Sequence, residues 1–322
     1  MYKNSRKHGI FSVEADSSLF TTGSNDSKLK VSKAQEMIFK QMRTSGNREA
    51  TINNYRFTFN QFVNSQNIIY VEDINANTIY DYLDSMNMKN TSKLARLRAI
   101  KAMLSKCLKN GWIEENFWGN IKIKTDKHIK ESASQENIEK LIEALNKNTF
   151  VGFRDTVAIL VLYKTGIRIR TLGELKEKNI DFESSTLILE GNVIKNHKLL
   201  KLPLDSELCN LLKILIRQNK IIREHFNVKN TNIFITQNGE SINHSKSHTN
   251  AISKQLSKYS KTYGLKNINA HAIRRLYSKN LLKKGASVAL ISKALGHSNL
   301  AVTTLYLDLS ADEVAENLRK LL

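Results

Sequence analysis

A single proline, Pro203, stands in 322 residues, and only 13 glycines accompany it. About 5% proline would be usual. Proline lacks the backbone N–H and clashes with the preceding helical turn, and glycine costs a helix interior about 1 kcal/mol. With both scarce, long helices meet few interruptions, and the chain is expected to be mainly α. At roughly 150 residues per domain its length predicts two domains.

Apolar residues make up 41% of the chain, enough for ordinary cores, which excludes global disorder. The most apolar stretch, Val157–Tyr163, is seven residues long, against the ~20 a helix needs to cross a bilayer. The first twenty residues show no apolar run followed by a small-residue cleavage site. Cys107 and Cys209 each stand alone among apolar neighbours, as reduced core residues do. A cytoplasmic protein with no membrane association is therefore expected. The 50 Lys+Arg exceed the 30 Asp+Glu by 20 charges. Such a surplus favours a polyanionic partner, nucleic acid before membrane. Up to residue 130 there are 21 Lys+Arg against 12 Asp+Glu, and beyond it 29 against 18. Both halves are basic, as a clamp around a duplex requires.

Residues 1–30 are polar and without apolar periodicity, and read as a flexible arm. Residues 31–118 read as a first helical domain. Thr51 is the expected N-cap of a helix carrying Phe57, Phe59, Phe62 and Val63, and Ile79, Tyr80, Leu83 and Met86 mark a second helix. A third opens at Asn90-Thr91-Ser92, carries Leu94, Leu97, Ile100, Leu104 and Leu108, and stops at Asn110-Gly111. Its other faces hold Lys93, Arg96, Arg98, Lys101, Lys106 and Lys109, with no acidic residues at i±4 to neutralise them. These six are the candidate DNA-binding residues, since a cationic face without ion pairs suits a phosphate backbone. Lysine-rich, weakly periodic residues 119–133 read as a linker, and residues 134–322 as the second domain. There a helix starts at Ser134, a buried helix spans Asp155–Lys164, and strands Thr186–Leu189 and Leu199–Leu204 flank a turn at Gly191-Asn192. A helix from Ser206 to Arg223 and a short Ile233–Ile235 strand precede a helical remainder from Ala270 onward.

Five patterns carry chemistry: Thr165-Gly166-Ile167-Arg168, the hairpin Lys195, His271-Ala272-Ile273-Arg274, Leu295-Gly296-His297, and Tyr306. Each alone is weak. A buried arginine after a glycine is more often structural, a hairpin lysine more often decoration, and a tyrosine near a terminus more often packing. Their order and spacing together are specific.

In that joint pattern the chain resembles the tyrosine recombinase (phage integrase) family. TGIRIRTLGELKEKNIDF is similar to the family's arginine box, HAIRR to its H-x-x-R box, and LGHSNLAVTTLY to its terminal box, with the tyrosine nine residues after the histidine. Lys195 lies eight residues before Pro203, where the family's hairpin lysine falls. Thr51–Tyr55, Ile74–Leu83 and the GWIEENFW segment resemble the core-binding domain, so the likeness runs from about Val31 to Leu307. The resemblance implies a helical, SAM-like core-binding domain. It also implies a mostly helical catalytic domain with a small antiparallel sheet, the DNA breaking-rejoining enzyme fold. The implied activity is site-specific recombination of double-stranded DNA, of integrase or transposase type, by a mobile element's enzyme.

The implied residues suit that chemistry. Arg168 and Arg274 would grip the non-bridging oxygens of a phosphodiester, where fixed guanidinium forks match both geometry and charge. Tyr306 would be the nucleophile, a phenol losing its proton more readily than an aliphatic hydroxyl. His271 would accept that proton, Lys195 would protonate the leaving 5′-oxygen, and His297 would hydrogen-bond the phosphate or Tyr306. A covalent 3′-phosphotyrosine conserves the bond energy, so neither ATP nor a metal or other cofactor is implied. Asn269 and Asn299 are the expected caps of the helices bearing His271 and Tyr306, and Gly296 ends the helix Ser287–Leu295.

Departures from the family leave alternatives. Thr171 stands where an acidic residue is usual, and Asn269-Ala270 where Thr-Pro is usual. Arg170 competes with Arg168 for the inward position, Lys198 is the reserve for Lys195, and Tyr277 is a poorer nucleophile than Tyr306. The resemblance further implies a C-shaped clamp and a homotetramer on two synapsed sites. The helix Ala311–Leu322 would dock in trans, with packing in cis as the alternative. The need for an accessory directionality factor is left open. Two rival readings are a type IB topoisomerase and a DNA-binding regulator that has lost catalysis.

Overall fold

A computed structural model describes residues 28–125, 130–190, 199–243 and 250–297, together with Thr303 and Leu307. The chain divides into two compact units, Met1–Lys127 and His128–Leu322. Among the described residues no helix is long and apolar enough to cross a membrane. The flexible-arm segment before Lys28, the hairpin tip at 191–198, the Asn299 cap and the terminal helix at 311–322 lie outside the described residues.

The first unit holds α1 (Val31–Thr44), α2 (Glu49–Ser65), α3 (Ala76–Asp84) and α4 (Asn90–Lys109). In α1, Val31, Ala34, Ile38 and Met42 recur at helical spacing and are all buried. Its start is tied by Val31 N–H donating to Ile69 O and Val71 N–H to Leu29 O. Helix α3 opens on a reciprocal cap: the Asn75 side chain accepts from Asn77 and Thr78, and the Thr78 hydroxyl accepts from Asn75 N–H. Helix α4 stops where Gly111 takes φ +73°. Its Leu97, Ile100, Met103 and Leu104 join Phe59, Phe62 and Ile38 in one apolar core. Ile121 and Trp118 belong to the same core, so the polypeptide past residue 118 still packs on the first unit.

Three local expectations are corrected here. Helix α2 begins at Glu49, two residues before Thr51, because Arg48 is already extended and its carbonyl accepts from Thr51 and Ile52 N–H. Phe57 is 60% exposed while Phe59 is 2% exposed: two residues turn a helix by about 200°, so both cannot face one core. Likewise Tyr82, not Tyr80, is buried on α3.

The second unit holds α5 (Gln135–Ala144), α6 (Phe150–Thr165), α7 (Ile169–Glu174), β1 (Ile180–Asp181), β2 (Thr186–Leu189), β3 (Leu200–Pro203), α8 (Ser206–Phe226), α9 (Ala251–Thr262), α10 (Ala270–Lys283) and α11 (Val288–Ala294). Helix α6 is its centre. Val157, Ala158, Ile159, Val161 and Leu162 are all at or near zero exposure, so apolar side chains cover every face, and α8, α9 and α10 pack around it. The sheet runs β1-β2-β3, all antiparallel, with Leu187 opposite Ile180 on one side and Leu202 on the other. Leu187, Leu189 and Leu202 face the core, the period-two pattern of a sheet with one buried face. Pro203 sits on the outer strand β3, where a missing ladder donor is tolerated. Ile233, Phe234 and Ile235 are fully buried but form no strand: their neighbourhood contributes only the single bridges Lys176–Asn232 and Ile235–Ser241. A turn at residues 236–239 reverses the chain before pairing can extend.

Helix α6 itself carries a buried ion pair. Arg154 donates through Nε (2.8 Å) and Nη2 (2.6 Å) to Asp155 Oδ1 and through Nη1 to Ile235 O (2.9 Å), and Tyr259 Oη donates to Asp155 Oδ2 (2.7 Å). Each of the three guanidinium nitrogens donates, as a charge pair at 4% and 1% exposure requires.

Candidate active site

Three short structures bring the site together. At the end of α6, Gly166 adopts φ +63° and turns the chain toward Arg168, the N-cap of α7. A side chain there would collide with its surroundings, since a Cβ at Gly166 would lie 2.2 Å from Tyr277 Cδ1. Next, Asn269 caps α10 by accepting from Ala272 N–H (2.9 Å), which starts the helix immediately before His271. Finally, Ser287 caps α11, and Gly296 at φ +60° ends it with His297 N–H donating back to Ser292 O (2.9 Å).

Arg274 is the hub. It is 2% exposed, and its guanidinium donates through Nη1 to Gly166 O (2.5 Å) and through Nη2 to Leu295 O (2.6 Å). Nη2 also lies 3.0 Å from His297 Nε2, whose ring carries on through Nδ1 to Thr303 Oγ1 at 2.9 Å. One side chain thus links the arginine box, the terminal box and the segment that leads to Tyr306. Arg168 is half-buried and near enough for its charge to act on both imidazoles. Burial, then Arg274 and Arg168, push His297 down to about 4. His271 stands at the more open first turn of α10. Desolvation by packed neighbours lowers its pKa, followed by the positive charges of Arg274, Arg275, Lys130 and Arg168. Both rings are therefore neutral at pH 7.

Arg168, His271, Arg274 and His297 are brought together. Lys195, its reserve Lys198 and Tyr306 lie outside the described residues. Arg170 faces outward and pairs with Glu174 at 2.8 Å, whereas the charge of Arg168 reaches both histidines. Tyr277 is a packing residue: burial raises its pKa, opposite to what a nucleophile needs, and its ring lies on the Gly166 backbone. Thr171 is buried at 4% exposure. Among the described residues no group of three His, Cys, Asp or Glu side chains is arranged to hold a metal ion.

Two residues near His271 escape a reading by motif. Arg275 donates through Nε (3.0 Å) and Nη2 (2.7 Å) to Glu131 O, and Ala133 N–H donates to Ala272 O (3.1 Å). These bonds strap residues 131–133 along the start of α10 and bring the charge of Lys130 within reach of His271. In sequence Lys130 is one of many linker lysines, and nothing local distinguishes it.

The six cations of α4 in the first unit are not equivalent. Arg98 and Lys109 are exposed, and Lys93 and Lys106 half-buried. Arg96 donates to Gln61 and to Tyr82 Oη (3.2 Å). Lys101 Nζ donates to Gly119 O (3.2 Å) and Ile121 O (2.7 Å), and burial lowers its pKa. Arg96 and Lys101 thus brace the unit from within.

Residues 131–313 match the model of the phage integrase family, more than half of the chain. The chain belongs to that family. Membership makes it a tyrosine recombinase, an enzyme of site-specific DNA recombination. Among curated members it is 26% identical over 259 residues to the tyrosine recombinase XerC of Bacillus licheniformis, covering 79% of this chain and 83% of that one. It is 24% identical over 266 residues to XerC of Oceanobacillus iheyensis, covering 80% and 84%. Among solved structures, the Tn1549 transposon integrase in complex with a circular intermediate DNA superposes with TM-score 0.65 at 16% identity, covering 90% of this chain and 99% of that one. A lambda integrase dimer bound to a COC′ core site gives 0.66 at 17% identity, covering 87% and 78%. At such identities these two superpositions speak for the fold: a mainly helical family architecture with a small antiparallel sheet.

Proposed function

We propose that this family member cleaves and rejoins double-stranded DNA through a covalent 3′-phosphotyrosine at Tyr306, as the integrase or transposase of a mobile element acting in the cytoplasm. The observation that carries the reading is that Arg274 ties Gly166, Leu295 and His297 together from three separate segments, with His271 and Arg168 within electrostatic reach. A packing role alone gives no reason for two arginines to stand within electrostatic reach of two neutral imidazoles. A phosphodiester supplies one, since its oxygens need donors and the attacking phenol needs a proton acceptor.

In this reading the Tyr306 phenolic oxygen attacks the phosphorus in line and its proton passes to neutral His271. Arg168 and Arg274 stabilise the charge spread over the non-bridging oxygens, and His297, accepting from Arg274 through Nε2, orients that guanidinium. The bond to the 5′-oxygen breaks as Lys195 donates a proton to it, and a new 5′-hydroxyl later reverses the step. The second unit acts as the catalytic domain and the first as the core-binding domain, with exposed Arg98 and Lys109 tracking phosphates. Two sites synapse in a homotetramer, with the segment 311–322 docking in trans. The DNA-bound state of the structural neighbours favours the duplex as substrate, and the transposon integrase among them fits the mobile-element role.

The test starts from a random duplex pool selected for binding to the full chain, from which nicked suicide substrates are built. Wild type forms a covalent protein–DNA adduct, and Tyr306→Phe loses it while still binding. Arg168→Ala loses cleavage with only modestly weaker binding. Binding without any adduct in wild type overturns the reading in favour of a regulator. An adduct that survives Tyr306→Phe places the nucleophile elsewhere.

A further inference from the structure

Thr303 has no place in the catalytic scheme, yet it is the buried end of the chain of contacts that starts at Arg274. It is fully buried, and its hydroxyl lies 2.9 Å from His297 Nδ1. The other ring nitrogen, Nε2, lies 3.0 Å from Arg274 Nη2. A guanidinium has only donors, so Nε2 of the neutral ring must accept. The ring proton then sits on Nδ1, and Thr303 Oγ1 accepts it. The tautomer is set by the partners on either side, as the orientation of a histidine usually is.

Thr303 also stands three residues before Tyr306 in the sequence, and Leu307 follows it directly. Leu307 is 4% exposed and packs with Ile291 and Leu295 of the α11 region. Buried anchors therefore lie on both sides of Tyr306 along the chain. One is apolar and fixes depth. The other is polar and directional, and it is hydrogen-bonded to the histidine that contacts Arg274.

We propose that Thr303 is a positioning residue: its hydroxyl holds His297 as the Nδ1–H tautomer and ties the segment bearing Tyr306 to the Arg274 guanidinium. Arginine, histidine and nucleophile segment are then set in register before DNA arrives. When a phosphate oxygen draws the Arg274 donors toward it, His297 keeps its orientation because Thr303 still holds Nδ1. The proposal rests on the recombinase reading above.

The experiment uses the full chain as wild type, Thr303→Val and Thr303→Ser. Valine matches threonine in shape and lacks the acceptor, whereas serine keeps it. Side-chain 15N–1H spectra of the histidines, assigned with His297→Gln, read the tautomer directly. Wild type and Thr303→Ser should show His297 protonated on Nδ1, and Thr303→Val should show that preference lost. On the nicked suicide substrate, Thr303→Val should lower the single-turnover cleavage rate roughly 10- to 100-fold, the scale of an ångström-sized misplacement. Duplex binding should stay unchanged, and Thr303→Ser should recover most of the rate. A wild-type His297 protonated on Nε2 overturns the proposal whether or not the valine variant folds. So does Thr303→Val cleaving at the wild-type rate, or Thr303→Ser failing as badly as valine. If wild type forms no adduct at all, the recombinase reading fails and the positioning role falls with it. An active wild type with an indifferent Thr303 sinks the positioning role alone.

Discussion

Gly166→Ala separates backbone strain from steric conflict at the centre of the site. Gly166 holds φ +63°, and an added Cβ would stand 2.2 Å from Tyr277 Cδ1 and 2.8 Å from both Cγ and Cε1. These atoms belong to a ring fixed near its own Cβ, so they do not swing away as the tip of a lysine would. The left-handed conformation costs an L-residue about 1–2 kcal/mol, and forcing a methyl into a packed site about 1–3 kcal/mol. Gly166→Ala should therefore lose roughly 2–5 kcal/mol, from the strain and overpacking terms together. The carbonyl that accepts from Arg274 Nη1 belongs to the same residue, so cleavage should fall by about a hundredfold beyond what unfolding explains. Urea unfolding followed by far-UV circular dichroism is the assay, because both tryptophans, Trp112 and Trp118, lie in the first unit. In a Tyr277→Ala background the steric part disappears and only about 1–2 kcal/mol of strain should remain. In Tyr277→Phe, which keeps the ring, the full penalty should persist. Equal penalties in the wild-type and Tyr277→Ala backgrounds would refute the steric argument.

Other expectations follow from the same geometry. Asp155→Ala leaves Arg154 charged and buried without its carboxylate, and should cost about 3–5 kcal/mol in urea unfolding; replacing both residues with leucine should cost less than the single change. The lowered pKa values of His271 and His297 make stability depend on pH. Below about 6.5 the unfolded chain takes up protons that the folded chain refuses. Stability is thus fully present above that pH and falls toward pH 4, and His297→Gln should flatten the decline in urea midpoints between pH 7 and 5. Because neutral His271 is the proposed proton acceptor, the acid limb of the single-turnover cleavage rate should begin below about pH 6.5. Duplex binding should weaken steeply with salt. Arg98→Ala or Lys109→Ala should each reduce the slope by about one; Lys101→Ala should reduce it less, since that ammonium already serves two carbonyls. A slope that ignores all three substitutions removes α4 from the binding surface.

Helix content, several caps and the grouping of motifs were legible in the sequence because they depend on neighbours a few residues apart. Ser134 and Asn269 cap the helices they were expected to cap, and Gly111 and Gly296 take the left-handed turns their positions suggested. Where two local signals competed, the pattern failed. Thr51 looks like a cap, but Glu49 already begins the helix, and Phe57 looks like core but points away from Phe59. Among the cations of α4, composition could not distinguish a solvent-facing Arg98 from a Lys101 that clasps Gly119 and Ile121.

By itself the sequence determined most of the helices and the β2–β3 pair, that both halves are basic, and which rare residue types recur at a family's spacing; the strand expected at Ile233–Ile235 did not form. These follow from periodicity and composition, properties of short stretches of chain. Only the tertiary structure decided that Arg274 would donate to carbonyls 108 residues before it and 21 after it. Only there did Arg170 pair with Glu174, the charge of Lys130 reach His271, and Thr303 meet His297. A hydrogen bond is satisfied by whatever partner packing brings within about 3 Å, and no local rule of sequence specifies a partner folded in from so far away.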